Sequence, residues 1–478
     1  MRNQLFVSLL FFFSCTLQAQ QMALYEFSVT TSREVRIQAT LPLKNSIILM
    51  QLRGTSDDLP NGTAEFVENL KVTDKKGKVI RVENLPEGQW RLDTQLKQVN
   101  ISYTIKLDHE KYSWDGYGGI DGVSFVNADG IFGTGYTFFI VPDSLEVPAT
   151  VKTILPNDWK FSAPWKQITS NQFQTATLDD LLNNCFLIGT HYEQKITAGD
   201  FEITMAIGGT LKNHAPLFGR ILRGAIQQYW KIFQSANIKK YLVTLNAGSM
   251  TDGETFNSSF NQLIKGTINE DGIISWGNIL AHETFHLWNG ISMYSSQQNE
   301  WFKEGFTEYM SVKTLRRAGL IDDALLLKKI ESFHTRYWIG RNITSREVTL
   351  KDAGSNKSAN VFLLYGGGSL VAFMMDVEIR KATQNKKGIE NLMHALYARY
   401  SNGRTYTQKD LEKVLDEVAG KPVSLILTKL INEESTFSTE TYLYDCGLGL
   451  TTFAEENYLY FIDAHNPHNT LFESMFLE

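Results

Sequence analysis

Two histidines four residues apart, with a glutamate after the first, are the residues best suited to chemistry: Ala281-His282-Glu283-Thr284-Phe285-His286. On a helix, positions i and i+4 share a face. The imidazoles of His282 and His286 can therefore converge on one metal ion, about 2.0–2.1 Å from each ring nitrogen. Glu283 falls about 100° round the helix from His282. That puts it beside the ion but off the ligand face, where a general base for an attacking water belongs. Further on, Glu300 to Met310 carries acidic residues among aromatics in a second helical pattern. Glu304 is its candidate third ligand. Three protein ligands leave a fourth position open, as a hydrolytic zinc centre requires and a structural one does not. One Zn2+ is the cofactor expected from these ligand types. The competing reading makes Glu304 an exposed helix carboxylate paired with Lys303 or its neighbours.

These residues need two helices and a frame to hold them. Ile279, Leu280, Phe285, Leu287 and Trp288 surround the polar trio as the flanks of a buried helix, and Asn289-Gly290 is a stop signal. From Tyr25 to about Pro148 the pattern is β throughout. Tyr25 to Val29, Val35 to Ala39 and Val99 to Leu107 alternate with period two, and Asn61-Gly62, Lys76-Gly77 and Glu87-Gly88 mark turns between strands. The glycine-rich run Asp115 to Gly122 lacks the lysine and helix of a phosphate loop and reads as a turn region. Near Val151 the texture changes. Short strands at Val151 to Leu155, Phe201 to Ile207 and Tyr241 to Leu245 alternate with a helix over Phe218 to Phe233. Beyond Glu308 the chain reads as mainly helical, with segments at Asp322 to Tyr337, Val361 to Arg380 and Asp410 to Ala419. Within the second of these, Gly366-Gly367-Gly368 implies a bend or the close approach of another backbone. The expected fold class is α+β and multidomain. An all-β, sandwich-like domain over residues 20–150 precedes a catalytic domain over 151–432 with a mixed α/β half and a helical half, and residues 433–478 form a tail.

Composition narrows the function classes. A net charge of −6, with no basic run or basic-aromatic patch, argues against nucleic acid as a partner. Arg2, the apolar run Leu5 to Phe13 and the small and polar residues up to Ala19-Gln20 have the layout of a cleaved signal peptide over residues 1–19. Cleavage after Ala19 implies export to the periplasm or the extracellular space. Lipidation at Cys15 is the rival, preceded by a poor lipobox. No other stretch approaches the about 18 apolar residues of a membrane span. Cys185 and Cys446 are too widely spaced for a disulfide framework and are expected as buried thiols.

The stretches His282 to Gly290 and Trp301 to Tyr309 together resemble the gluzincin metallopeptidases, and most closely the glycyl aminopeptidase family. That family carries a His-Glu-x-x-His-x-Trp-Asn helix followed by a Trp-Phe-x-Glu-Gly-(Phe/Leu)-Thr-x-Tyr helix. Aminopeptidase N is similar but more distant. Here 17 residues separate His286 from Glu304, against 18 in the aminopeptidase N type. The polar stretch Ser292 to Asn299 is a loop that can absorb the difference.

The resemblance implies a thermolysin-like catalytic domain behind an all-β one, and a zinc-dependent aminopeptidase acting on peptides with a free N-terminus. It also implies two further site residues. Gly253-Glu254 with Asn257-Ser258 is similar to the family's Gly-Leu-Glu-His-x-Asn-Ser stretch, without its leucine and histidine, and this makes Glu254 the anchor for the substrate's α-ammonium. Asp252 competes for that role. Tyr365, before the three glycines, resembles the tyrosine of the family's Tyr-x-x-Gly helix, whose phenol stabilises the developing oxyanion. The family continues into a PDZ-like domain, for which the residues after about Asn432 are too few. Two other functions fit the same residues: a zinc endopeptidase, if Glu254 is only a loop carboxylate, and a non-catalytic peptide-binding surface protein.

Overall fold

Strands that bury every second side chain build the first part of the chain. In the computed structural model, which describes residues 22–478 apart from 32, 54–55, 115–118, 121, 402 and 454–455, Gln98–Lys106 buries Val99, Ile101, Tyr103 and Ile105 and turns the residues between them outward. Such period-two burial is what a half-covered antiparallel sheet demands. The segment expected to direct export, with Cys15 and Ala19, lies outside the described residues, as do 115–118 and 121 of the glycine-rich run.

Among the described residues, eight strands form one sheet. Their order is Lys166–Thr169, Gln172–Thr175, Ala149–Ile154, Ala23–Thr31, Glu34–Pro42, Gln98–Lys106, Val67–Thr73 and Val79–Ile80. Two four-stranded sheets complete the domain, and all three share one aromatic core. Tyr25 meets Phe139 at 5.1 Å between ring centroids, and Phe138 and Phe161 meet Phe186 at 5.0 and 5.3 Å. The boundary expected at residue 150 is therefore too early. Ala149–Ile154 pairs in parallel with Ala23–Thr31, from Ala23↔Ala149 to Ser28↔Ile154, and Cys185–Gly189 pairs with Gly130–Thr134. Residues up to Gly189 thus belong to the β-domain. Val151 and Thr153 alternate in burial whichever sheet they join, so the local pattern could not locate the boundary.

A five-stranded sheet follows, in the order Tyr192–Ala198, Phe201–Ile207, Lys240–Ala247, Ser259–Ile264, Asp252–Thr255. Its three inner strands are parallel, and Asp252–Thr255 forms an antiparallel edge. The helix Ala215–Phe233 presents Phe218, Leu222, Ile226, Tyr229 and Phe233 to the core. Tyr229 Oη donates to Ala281 O at 2.9 Å, and Phe233 stacks on Trp288 at 5.0 Å with ring planes 7° apart. These contacts seat the histidine-bearing helix, Trp276–Phe285.

The rest is helical: Glu300–Arg317, Asp323–Ile339, Gly368–Ala382, Ile389–Tyr400, Gln408–Ala419 and Ser424–Asn432. Asp322 caps the second of these by accepting from Leu325 N. The three glycines have the role their sequence implies. Leu363–Gly367 is a π-helical turn. A Cβ on Gly305 would fall 2.2 Å from the Gly368 carbonyl carbon, and one on Gly368 2.4 Å from Trp301 O. Two helix backbones therefore touch here, which only glycine permits. Residues 433–478 are structured: the helix Glu440–Asp445, the hairpin Leu448–Phe453 with Glu456–Phe461, and the helix Thr470–Phe476, whose Phe472, Met475 and Phe476 are buried in the same core. Cys185 and Cys446 are buried, free thiols. No helix among the described residues is long and apolar enough to cross a membrane.

Candidate metal and active site

The histidine helix ends at Phe285, with His286 as its C-cap, one turn before the Asn289-Gly290 stop. Ile291 N then donates to His286 O at 2.9 Å, with Gly290 at φ 141°, a conformation that favours glycine. This tight exit brings Asn289 back to the imidazole. His286 Nδ1 donates to Asn289 O at 2.8 Å, which fixes the tautomer and leaves Nε2 as the outward donor atom. The Asn289 amide donates to Lys303 O at 3.2 Å and Thr307 Oγ1 at 3.1 Å, tying this exit to the second helix.

On that helix Glu304 is buried, not exposed as in the competing reading. Its Oε2 lies 3.4 Å from His282 Nε2 and 3.5 Å from His286 Nε2, and the two nitrogens are 3.0 Å apart. A tetrahedral zinc with bonds of about 2.0–2.1 Å spaces its ligand atoms about 3.3 Å apart, so the triangle fits such an ion. The orphaned state of Glu304 Oε2, which is buried without a hydrogen-bond partner among the described residues, points the same way. Burial alone would raise the Glu304 pKa. His286 and Lys357 outweigh it and hold the carboxyl well below the usual range.

Glu308, one turn beyond Glu304, was not singled out from the sequence, although its i+4 spacing puts it on the same helix face. Its Oε2 accepts from His282 Nδ1 at 3.0 Å and from Asn278 Nδ2 at 2.9 Å. Its Oε1 faces Lys329 at 2.9 Å and Arg336 at 3.1 Å. A carboxylate on the far nitrogen of a ligating histidine orients the ring and raises its basicity. Burial opposes ionisation of Glu308, but Lys329, His282 and Arg336 keep it ionised, with a pKa well below normal.

Glu283 is only partly buried, and its Oε2 accepts from Thr255 Oγ1 at 2.5 Å. The edge strand thus reaches the candidate base directly. Tyr365 stacks on His282 at 5.7 Å with ring planes 15° apart. Burial first, then Glu304 and Glu283, raise its pKa well above the normal phenol value, so the hydroxyl stays protonated and can donate. Both residues border a cavity of about 350 Å3, shared with Asp252, His282, Arg336 and Phe362. Ile279 lines it too, half-buried where a core position was expected, because its side of the helix opens on this space.

Glu254 is on the edge strand but not among the side chains lining this cavity. Its carboxylate lies 3.8 Å from Arg53 of the β-domain, whose guanidinium sits 5.0 Å over Tyr136 and 5.8 Å from the Phe256 ring. Asp252, the competing anchor, lines the cavity. Burial, then Glu283, raise its pKa. A larger cavity of about 540 Å3 opens elsewhere, beside Lys313, Arg317 and Arg380. Asp376 and Glu390 already pair those charges.

Comparison with known proteins finds two matching family domains. The chain matches the Peptidase M61 N-terminal domain over residues 59–190, consistent with a β-domain that runs to Gly189. It matches the M61 glycyl aminopeptidase domain over residues 276–371, which holds the histidine pair, Glu304 and Tyr365. Comparison with curated sequences gives no match. Among solved structures, an aminopeptidase N family protein from Idiomarina loihiensis is similar with a TM-score of 0.74 at 16% identity, over 90% of this chain and 79% of that one. An M1 zinc metallopeptidase from Deinococcus radiodurans, in a glutamate-to-alanine variant bound to Tyr-Ser-Ala, aligns with a TM-score of 0.50 at 12% identity, over 88% of this chain and 95% of that one. Aminopeptidase A of Legionella pneumophila aligns at 0.51 and 13% identity, over 87% of this chain and 49% of that one. At these identities the solved structures speak for the fold, an α/β multidomain arrangement with a sheet-rich first part and a helical last part. The chain thus carries, in order, a region matching the M61 N-terminal domain and one matching the M61 glycyl aminopeptidase domain, and it is a peptidase.

Proposed function

We propose that the chain is a zinc-dependent aminopeptidase with a thermolysin-like catalytic half. The observation that carries this reading is the triangle of His282 Nε2, His286 Nε2 and Glu304 Oε2, with sides of 3.0 to 3.5 Å and an orphaned, buried oxygen at one corner. A zinc ion held by these three would act as a Lewis acid, making water a nucleophile near neutral pH and polarising a carbonyl. Glu283, steadied by Thr255, accepts the proton of the attacking water and delivers it to the departing amine. Tyr365 donates its phenolic hydrogen bond to the oxyanion that develops on the scissile carbonyl. Glu308 and the Asn289 carbonyl hold the two imidazoles in register. The substrate's α-ammonium is taken by a carboxylate of the edge strand, Glu254 or Asp252.

The position of Arg53 beside Glu254 supports a second reading, an endopeptidase on the same residues, because a carboxylate already paired anchors an amine less strongly. The test is hydrolysis of free-amine dipeptides beside their N-acetylated twins, with zinc quantified and Glu283→Gln as the blank. Cleavage confined to free amines establishes the aminopeptidase, and cleavage of both classes establishes the endopeptidase. The parallel variants Glu254→Gln and Asp252→Asn identify the anchor by which one raises KM. From the apolar run Leu5 to Phe13 we further propose export with cleavage after Ala19. Amino-terminal sequencing of the mature protein tests it, and an intact Met1 in the exported form refutes it.

A further inference from the structure

The cavity in front of His282 is electrically lopsided. Asp252 and Glu283 border it together with Lys329, Arg336 and Glu308. Lys329 and Arg336 both close on one oxygen, Glu308 Oε1, at 2.9 and 3.1 Å. Two cations thus face one carboxylate, and this wall carries one unbalanced positive charge. Lys329 is buried, whereas Arg336 keeps 34% of its side chain exposed. Arg336 gives one N–H group to Glu308, and its other donors meet no partner among the described residues. A guanidinium has five donors in a rigid fork that matches a carboxylate, so Arg336 can hold Glu308 and still receive a second anion. Val361 and Phe362, each 38% exposed, form an apolar stretch of the same lining.

We propose that Arg336 binds a carboxylate of the substrate. The preferred substrates are then small zwitterionic peptides, with the ammonium toward the acidic side of the cavity and an anionic group on Arg336. Two carboxylates could serve: the C-terminal carboxylate of a dipeptide, or an acidic side chain after the scissile bond. The inference rests on the peptidase reading for its choice of ligand, but binding can be measured apart from turnover.

The experiment uses zinc-loaded Glu283→Gln protein, in which bound peptide persists, and titrates it with Gly-Ala, Gly-Ala amide and Gly-Glu amide. A free carboxylate on Arg336 makes Gly-Ala bind about tenfold or more tightly than its amide, the worth of one charge-assisted hydrogen bond. If an acidic side chain also reaches it, Gly-Glu amide regains the affinity that Gly-Ala amide lacks. Adding Arg336→Gln brings the carboxylate-bearing peptides to the affinity of Gly-Ala amide, and Arg336→Lys restores part of the difference. Equal affinities for all three peptides overturn the proposal. A preference that survives Arg336→Gln does so too, since the carboxylate then sits elsewhere, on the metal for example. If Arg336 serves only to steady Glu308, its loss weakens all three peptides alike and lowers zinc content, and the ratios stay fixed. Hydrolysis by the unmodified protein is a separate readout: its absence refutes the peptidase mechanism without altering the binding ratios.

Discussion

Lys357 Nζ lies 2.7 Å from Glu304 Oε1, the oxygen turned away from the histidines. The ammonium occupies one end of the carboxylate and leaves the other, Oε2, for a cation. It also draws charge from the ligand, which would leave a bound zinc ion a stronger Lewis acid. Lys357→Met is expected to lower kcat about 10- to 100-fold with zinc retained, while Lys357→Arg keeps most of the activity. Zinc loss with unchanged kcat per bound zinc would contradict this account.

Thr255 should govern the base rather than the substrate. Its hydroxyl donates to Glu283 Oε2 at 2.5 Å, and Thr255→Val keeps the shape while removing the donor. The expected result is a kcat lowered about tenfold, from one lost charge-assisted hydrogen bond, with KM and zinc content maintained and Thr255→Ser largely restored. Equal losses in the valine and serine variants would show that the methyl group, not the hydroxyl, matters.

Zinc uptake should depend on pH through His282. Burial pulls its pKa down, but the nearby Glu304 carboxylate and the hydrogen bond to Glu308 overcome that and push it up to about 10. Near neutrality the metal-free ring is therefore an imidazolium, and zinc must displace a proton. Apparent zinc affinity is expected to rise about tenfold per pH unit until the pH nears that value. Glu308→Gln removes a charge that raises the pKa, so its affinity should level off at lower pH and with a smaller maximum. Competition with a chelator of known affinity across the pH range measures both curves, and a flat profile would exclude the displaced proton.

Away from the site, a buried charge cluster is centred on Asp376. This fully buried carboxylate accepts from Tyr309 Oη at 2.8 Å, Arg380 Nε at 2.9 Å and Ile389 N at 3.0 Å, and it contacts Lys313 Nζ. Asp376→Asn leaves Lys313 and Arg380 short of counter-charge and should cost about 3–5 kcal/mol, seen as a lower urea midpoint. Burial opposes ionisation of Asp376, but Lys313 and Arg380 hold its pKa below the unfolded 3.8. A depressed carboxyl contributes stability that is fully present above the unfolded value and is lost as pH falls below it. The gap between wild type and variant should therefore narrow as the pH is lowered below 3.8.

What the sequence disclosed follows the range over which its signals act. His282, Glu283 and His286 lie within one helical turn or so, and their shared face is a local property. Glu304 was found because its own helix repeats the pattern of a ligand among aromatics. Lys357, Thr255 and Arg336 come from segments 53, 28 and 28 residues away from the side chains they touch. No period in the chain encodes those meetings. The β-domain boundary was missed for the same reason, since Ala23–Thr31 finds its parallel partner more than a hundred residues later. Glu254 was picked out by a local motif, but its neighbour Arg53 belongs to another domain, and a local motif says nothing of that.

The glycine contact between Gly305 and Gly368 has a consequence for how this site can diversify. Helices that meet through side chains can slide or separate as those side chains change size. Here backbone meets backbone, between the helix that carries Glu304 and the first residue of the helix that continues from the Tyr365 turn, so ligand and phenol are joined by an inelastic strut. A bulkier substrate cannot be admitted by stretching that dimension. Changes in what the enzyme accepts must come from the lining, from positions such as Phe362, Asp252 and Arg336, around a reaction centre whose spacing stays constant.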